Sequence, residues 1–263
     1  MPMIGQIESL WRYPVKSMRG ENLEQAFLGF SGVYGDRLYA FHGAKAPKGF
    51  PYHTAREQEE LLLFTPKFRD GEAAAKPINL AEADSMAPGV TPQFASLAAL
   101  AVDVTTPDGA VFAVDDPGLI AELQKRLGES IEVSLIASQR PLTDCRPISV
   151  FSLQTVAGLA EETGQDIDKR RFRANLYADL DGFAPFAEKE LLGKRVKIGD
   201  KVELMLLGND PRCKMITLSP DTAAASPAIL RQVTTAHDGN AGLYAAVLVE
   251  GIVRPGDVIA VVE

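Results

Sequence analysis

The stretch Asp210-Pro-Arg-Cys-Lys-Met-Ile-Thr217, continuing as Leu218-Ser-Pro-Asp-Thr222, sets a single thiol, Cys213, between two cations. Cations on both sides are the setting in which a thiol attacks electrophiles or ligates soft metals. A lone cysteine is ordinarily a small buried hydrophobe. Two cations and a Pro-Asp turn are poor company for a core position, so the pattern points to a reactive or ligating thiol.

The string Arg-Cys-x-x-x-Thr-x-x-Pro-Asp-Thr resembles the signature of the MOSC domain, the C-terminal domain of molybdenum cofactor sulfurases, in which the cysteine binds the molybdenum of a pterin cofactor. Tyr13-Pro-Val-Lys-Ser17, Gly35-Asp-Arg37 and Arg171-Phe-Arg-Ala-Asn175 resemble further segments of that family. Their order is similar to that of two-part proteins joining a MOSC N-terminal barrel to the MOSC core, among them the mitochondrial amidoxime-reducing component and its bacterial relatives. The resemblance implies a mainly β fold with a few short helices. An N-terminal β-barrel-like domain over residues 1–136 would pack on a MOSC β-barrel over 137–263, with the boundary near Ala137 to Pro147.

A molybdopterin presents a phosphate, a polar pterin ring and a dithiolene, so its pocket needs cations, planar polar partners and a soft ligand. The resemblance assigns Cys213 to the molybdenum and to catalysis, and Lys16, Ser17, Arg37, Arg173, Asn175 and Arg212 to the cofactor. Arginine suits bidentate contacts with phosphate or a pterin edge, while Ser17 and Asn175 add directional hydrogen bonds. These distant positions meet only if both barrels face one cleft. Three departures stand out: Ala174 replaces the family's proline before Asn175, Pro211 replaces a serine, and Ala223 stands where glycine often follows Asp-Thr.

The implied activity is two-electron reduction of small N-hydroxylated compounds such as amidoximes. Cys145 and Cys213 are the only cysteines, too few for an iron–sulfur cluster. Electrons are therefore expected from a separate ferredoxin- or cytochrome-type donor with its reductase. Two alternatives stay open: a non-catalytic carrier of the cofactor or of sulfane sulfur on Cys213, and a cysteine hydrolase with His42, His53 or His237 as base.

With 263 residues, 46% apolar and 24% charged, the chain has an ordinary globular composition and room for one large or two small domains. A formal net charge of −8 argues against nucleic-acid or anionic-membrane binding. The Lys169-Arg-Arg-Phe-Arg173 run lacks the second basic stripe that a nucleic-acid surface needs. No basic leader precedes an apolar segment and no apolar run reaches membrane-spanning length, so a reducing cytoplasm is expected.

Short strands separated by Gly, Pro and Asp dominate. Ile4 to Trp11 reads as a strand, and Ala101–Thr106 with Ala110–Val114 around Pro107-Asp-Gly109 as a hairpin. Leu243–Val249 and Val258–Val262, flanking Arg254-Pro-Gly-Asp257, read as another strand pair. Asp116-Pro117, Ser152 and Ser226-Pro227 start three helices, the first two stopping near Gly128 and Gly164. Arg171 and Arg173 alternate about Phe172 as in a strand. The Ala-, Glu- and Pro-rich stretch from Lys67 to Pro92 reads as a surface loop.

Overall fold

The computed structural model describes residues 1–43, 49–87, 89–127 and 132–262. Among these the chain is mainly β, with four short α-helices. It divides into two compact units, one formed by Met1–Arg12, Glu21–Val33 and Thr143–Glu263, the other by Tyr13–Gly20 and Tyr34–Leu142.

The first unit is built on a closed seven-stranded barrel. In ring order the strands are Met3–Arg12, Leu176–Leu180, Ile148–Ser152, Asn240–Val249, Val202–Pro211, Arg195–Ile198 and Val258–Val262. Closure occurs because Met3–Arg12 pairs with both Leu176–Leu180 and Val258–Val262, which removes the unpaired edges that an open sheet would expose. Ile7, Leu10, Ile148, Leu176, Val202 and Leu204 belong to its apolar core. Among the barrel's seven strands only the Ile148–Ser152 and Leu176–Leu180 pair is parallel, and such a pair needs a crossover. The helix Leu153–Thr163 supplies it.

That helix starts and stops on local chemistry. The Ser152 hydroxyl accepts from the Thr155 N–H at 3.1 Å, and Gly164 ends the helix in the left-handed conformation. Asp116 opens the Pro117–Leu127 helix by accepting from the Gly118 N–H at 2.7 Å; Gly128, its expected stop, lies outside the described residues. Pro227 occupies the first turn of Pro227–Ala236 as anticipated, but the Ser226 hydroxyl does not cap. It donates to Gln165 instead, at 2.7 Å.

In the second unit Tyr39–Gly43 pairs with Val133–Ala137 and Tyr52–His53. The expected hairpin is present as Val102–Thr105 with Val111–Ala113. Thr65–Phe68 adds a third strand.

Three expectations need correction. Leu243–Val249 and Val258–Val262 lie in strands but do not pair: the latter lies between Met3–Arg12 and Arg195–Ile198, and Gly251–Val253 carries the chain away by pairing with Ala26–Gly29. The stretch from Lys67 to Pro92 is more than a loop, since it begins inside the Thr65–Phe68 strand and contains the helix Leu80–Ser85, anchored by buried Leu80 and Ala83. Lys169–Phe172 is a 3-10 turn, because the Asp168 carboxylate captures the Arg170 N–H at 2.8 Å and bends the chain.

Candidate functional site

Cys213 directly follows the long barrel strand Val202–Pro211 and Arg212, and opens a 3-10 turn over Lys214–Thr217. It is a free, half-buried thiol, whereas Cys145 is free and exposed. The turn is closed internally by the Ile216 N–H donating to the Cys213 carbonyl at 3.2 Å and by the Thr217 hydroxyl donating to the Lys214 carbonyl at 2.8 Å. After it, Ala223 keeps the left-handed backbone that glycine would favour, with φ +58, and its N–H donates to the Ser219 carbonyl at 2.9 Å.

The Arg171–Asn175 segment is bonded to this turn. Arg171 donates to the Thr217 carbonyl at 2.7 Å, Arg170 to the Asp221 carboxylate at 3.1 Å, and Arg212 to the Phe172 carbonyl at 2.9 Å. The basic run therefore faces its own protein: Lys169 pairs with Glu8, Arg170 with Asp168 and Asp221. Arg171 is half-buried, and loss of hydration holds its pKa below the ordinary value. Arg173 ends the 3-10 turn with a left-handed backbone, φ +52.

Arg212 and Asn175 are more deeply engaged in the fold than the sequence suggests. Arg212 Nε donates to the Ala241 carbonyl at 2.6 Å, and Nη2 lies 2.8 Å from the Asp210 carboxylate. Its guanidinium carbon is 5.2 and 5.6 Å from the ring centroids of Phe151 and Phe172. Asn175 is buried between strands, accepting from the Ser149 N–H at 3.3 Å and donating to the Trp11 carbonyl at 3.3 Å.

In the second unit two motifs are joined. The Tyr13 N–H donates to Asp36 at 2.8 Å, and the Arg37 N–H donates to the Tyr13 carbonyl at 2.7 Å. Arg37 pairs with the fully buried Asp36 and lies 4.6 Å from the Tyr13 ring centroid. Lys16, only 6% exposed, donates to the Leu142 carbonyl at 2.8 Å and sits 4.6 Å from the Tyr52 ring centroid. Neither is a solvated surface cation. Ser17, Arg37 and Arg173 are three of the six non-glycine residues that adopt a left-handed backbone among the described residues, a conformation costing about 1–3 kcal/mol and concentrated at functional sites.

Two of the three histidines that a hydrolase could use have other partners. His237 bonds to Glu162 at 2.8 Å and stacks on Phe186, with centroids 3.4 Å apart; His53 bonds to Gln58 at 3.2 Å. Among the described residues no group of three or more His, Cys, Asp and Glu side chains could hold a metal ion, and no helix is long and apolar enough to cross a membrane. Sequence reasoning quoted Asp210 but gave it no role, and missed Ser149 and Tyr244, which surround it. The spacing of Asp210 and Arg212 is the signal, since alternate residues of an extended chain share a face.

Residues 4–106 match the family described as MOSC N-terminal beta barrel domain, and residues 137–260 the family described as MOSC domain. Among solved structures, the chain is similar to the YUAD protein from Bacillus subtilis, with 14% identity and a TM-score of 0.48 over 98% of this chain and 94% of that one. It is also similar to YiiM from Geobacillus stearothermophilus, at 19% identity and a TM-score of 0.36 over 45% and 55% of the two chains. For YiiM from Escherichia coli the identity is 20% and the TM-score 0.34, over 45% and 55%. No curated protein matches the chain.

Proposed function

Because this chain belongs to the MOSC family, joining a MOSC N-terminal β-barrel domain to a MOSC domain, we propose that it binds a molybdenum–pterin cofactor through Cys213 and reduces small N-hydroxylated compounds. The family is associated with molybdenum cofactor binding. The observation that carries the proposal is the half-buried free thiol of Cys213, opening a turn that Arg170, Arg171 and Arg212 bond to the neighbouring segment.

The residues suit the group by the chemistry of their donors. Cys213 offers the soft sulfur that molybdenum accepts. Lys16, Arg37 and Arg173 are cations of the type that a phosphate or pterin edge requires, and Ser17 offers a hydroxyl. The left-handed backbones of Ser17, Arg37 and Arg173 fix where each side chain leaves the main chain. Arg212 and Asn175 are assigned to holding the turn and the strands rather than to direct contact. When bound, the cofactor supplies the two-electron chemistry at its metal, and the protein orients it and tunes its electronics. Electrons come, in this proposal, from a ferredoxin- or cytochrome-type protein with its reductase.

The test is Cys213→Ser in the full chain produced in a cofactor-competent host. Molybdenum and pterin content and the metal's spectrum are measured before any assay. We expect wild type to carry both, and the variant to keep the fold and much of the pterin while its metal spectrum changes and reduction of an amidoxime is lost. Wild-type protein without molybdenum, or a variant with an unaltered spectrum and full activity, overturns the proposal.

A further inference from the structure

Beneath the Cys213 turn lies a buried polar network. The Asp210 and Arg212 side chains are 5% and 6% exposed and 2.8 Å apart. Asp210 also accepts from the Ser149 hydroxyl at 2.7 Å, and burial and then the nearby Asp210 charge push the Tyr244 pKa up, so its hydroxyl keeps its proton. Arg212 in turn distributes its nitrogens. Nη1 binds the Phe172 carbonyl, Nε the Ala241 carbonyl, and its backbone N–H the Gly239 carbonyl at 2.8 Å. Gly242 leaves the room for this, since a Cβ there would lie 2.9 Å from Arg212 Nη2.

A buried ion pair brings little net stability, because desolvating two charges offsets their attraction. What this one provides is geometry: a single guanidinium ties two backbone carbonyls, those of Phe172 and Ala241, to the residue that immediately precedes the thiol.

We propose that Asp210, Ser149 and Tyr244 are positioning residues for Cys213, acting through Arg212: they hold its guanidinium in the one orientation that clamps the start of the Cys213 turn. The proposal deepens the cofactor reading, on which its consequence for the metal rests, but the clamp belongs to this chain alone. Loosening it opens the turn locally without unfolding the barrel, and a half-buried thiol then meets solvent more often.

The experiment uses the full chain without cofactor and with Cys145→Ser as background, so that Cys213 is the single thiol. Iodoacetamide alkylation of Cys213 is followed at one fixed pH in wild type, Tyr244→Phe, Asp210→Asn and Arg212→Lys, and thermal melting reports global stability. Arg212→Lys keeps the charge and loses the planar fork. We expect alkylation to rise about tenfold in Asp210→Asn, where the charge 2.8 Å from Nη2 is lost, and in Arg212→Lys, where the bonds to the Phe172 and Ala241 carbonyls are lost, and about threefold in Tyr244→Phe, where a single oxygen is removed. On molybdenum-loaded protein the same variants shift the metal–sulfur signature in X-ray absorption at unchanged pterin content. Wild-type alkylation rates in Tyr244→Phe and Arg212→Lys, with cooperative melting, overturn the proposal, and these two decide if Asp210→Asn fails to fold. A wild type that never loads molybdenum refutes the cofactor reading while leaving the alkylation result to judge the clamp.

Discussion

Replacing Gly242 by alanine tests how tightly Arg212 is enclosed. Gly242 has φ +78, and an added Cβ would lie 2.6 Å from Phe151 Cδ2, 2.8 Å from the Val150 carbonyl oxygen and 2.9 Å from Arg212 Nη2. The reversed backbone costs an L-residue about 1–2 kcal/mol, and crowding in a packed interior adds about 1–3 kcal/mol. Lower entropy of the unfolded alanine chain returns about 0.4–1 kcal/mol. The net loss is about 1–5 kcal/mol, a large part of the roughly 5–15 kcal/mol that holds a domain folded. Gly182 is the control: its φ is +75, yet no atom lies within 4 Å of its added Cβ, so Gly182→Ala loses only about 1 kcal/mol or less. The chain's one tryptophan, Trp11, lies in the barrel strand Met3–Arg12, so urea unfolding followed by its fluorescence reports the same unit. Equal midpoints for the two variants would falsify the crowding at Arg212.

Asn175→Ala strands the Ser149 N–H and the Trp11 carbonyl inside the barrel wall and should cost roughly 2–4 kcal/mol in the same urea assay; a loss below that range would show that Asn175 is free for another role. Burial alone would raise the Glu162 carboxyl, but hydrogen bonds from His237 and Gln232 outweigh it and hold it below its ordinary value of 4.5. Because the folded pKa is the lower one, this contribution is present above about pH 4.5 and disappears as pH falls through the folded value. Glu162→Gln should therefore melt below wild type at pH 7, with the gap narrowing as pH falls below about 4.5; a gap that stays constant as acid is added would exclude the charge as the cause. For electron supply, purified protein should reduce an amidoxime with an artificial low-potential donor but not with NADH alone. Adding a ferredoxin- or cytochrome-type donor and its reductase should restore NADH consumption, and turnover with NADH alone would remove the separate donor.

Features resting on local chemistry were legible in the sequence. Ser152 and Gly164 bracket a helix because a hydroxyl cap and a left-handed stop are properties of single residues, and Pro107-Asp-Gly109 marks a hairpin for the same kind of reason. Pairing is decided elsewhere in the chain: nothing within Val258–Val262 tells that its neighbours are Met3–Arg12 and Arg195–Ile198. Arg171-Phe-Arg173 imitates a strand, and the Asp168 carboxylate overrides the imitation. At the candidate site, the thiol and its motif stand out in the sequence, whereas the inward aim of Arg212 and Asn175 depends on burial. The left-handed backbones of Ser17, Arg37 and Arg173 leave no mark on residue type.

The ring closure of the barrel has a consequence for how the chain reaches its folded state. Gly5 is paired with Leu180 on one side and with Ile259 on the other, so the first stave to leave the ribosome is also the one that seals the last gap. Until the residues around 258–262 emerge, one flank of Met3–Arg12 offers unsatisfied N–H and C=O groups, an aggregation hazard that grows with delay. Pairings such as Gly5 with Leu180 and with Ile259 raise the contact order of this barrel, the property that accompanies slow folding.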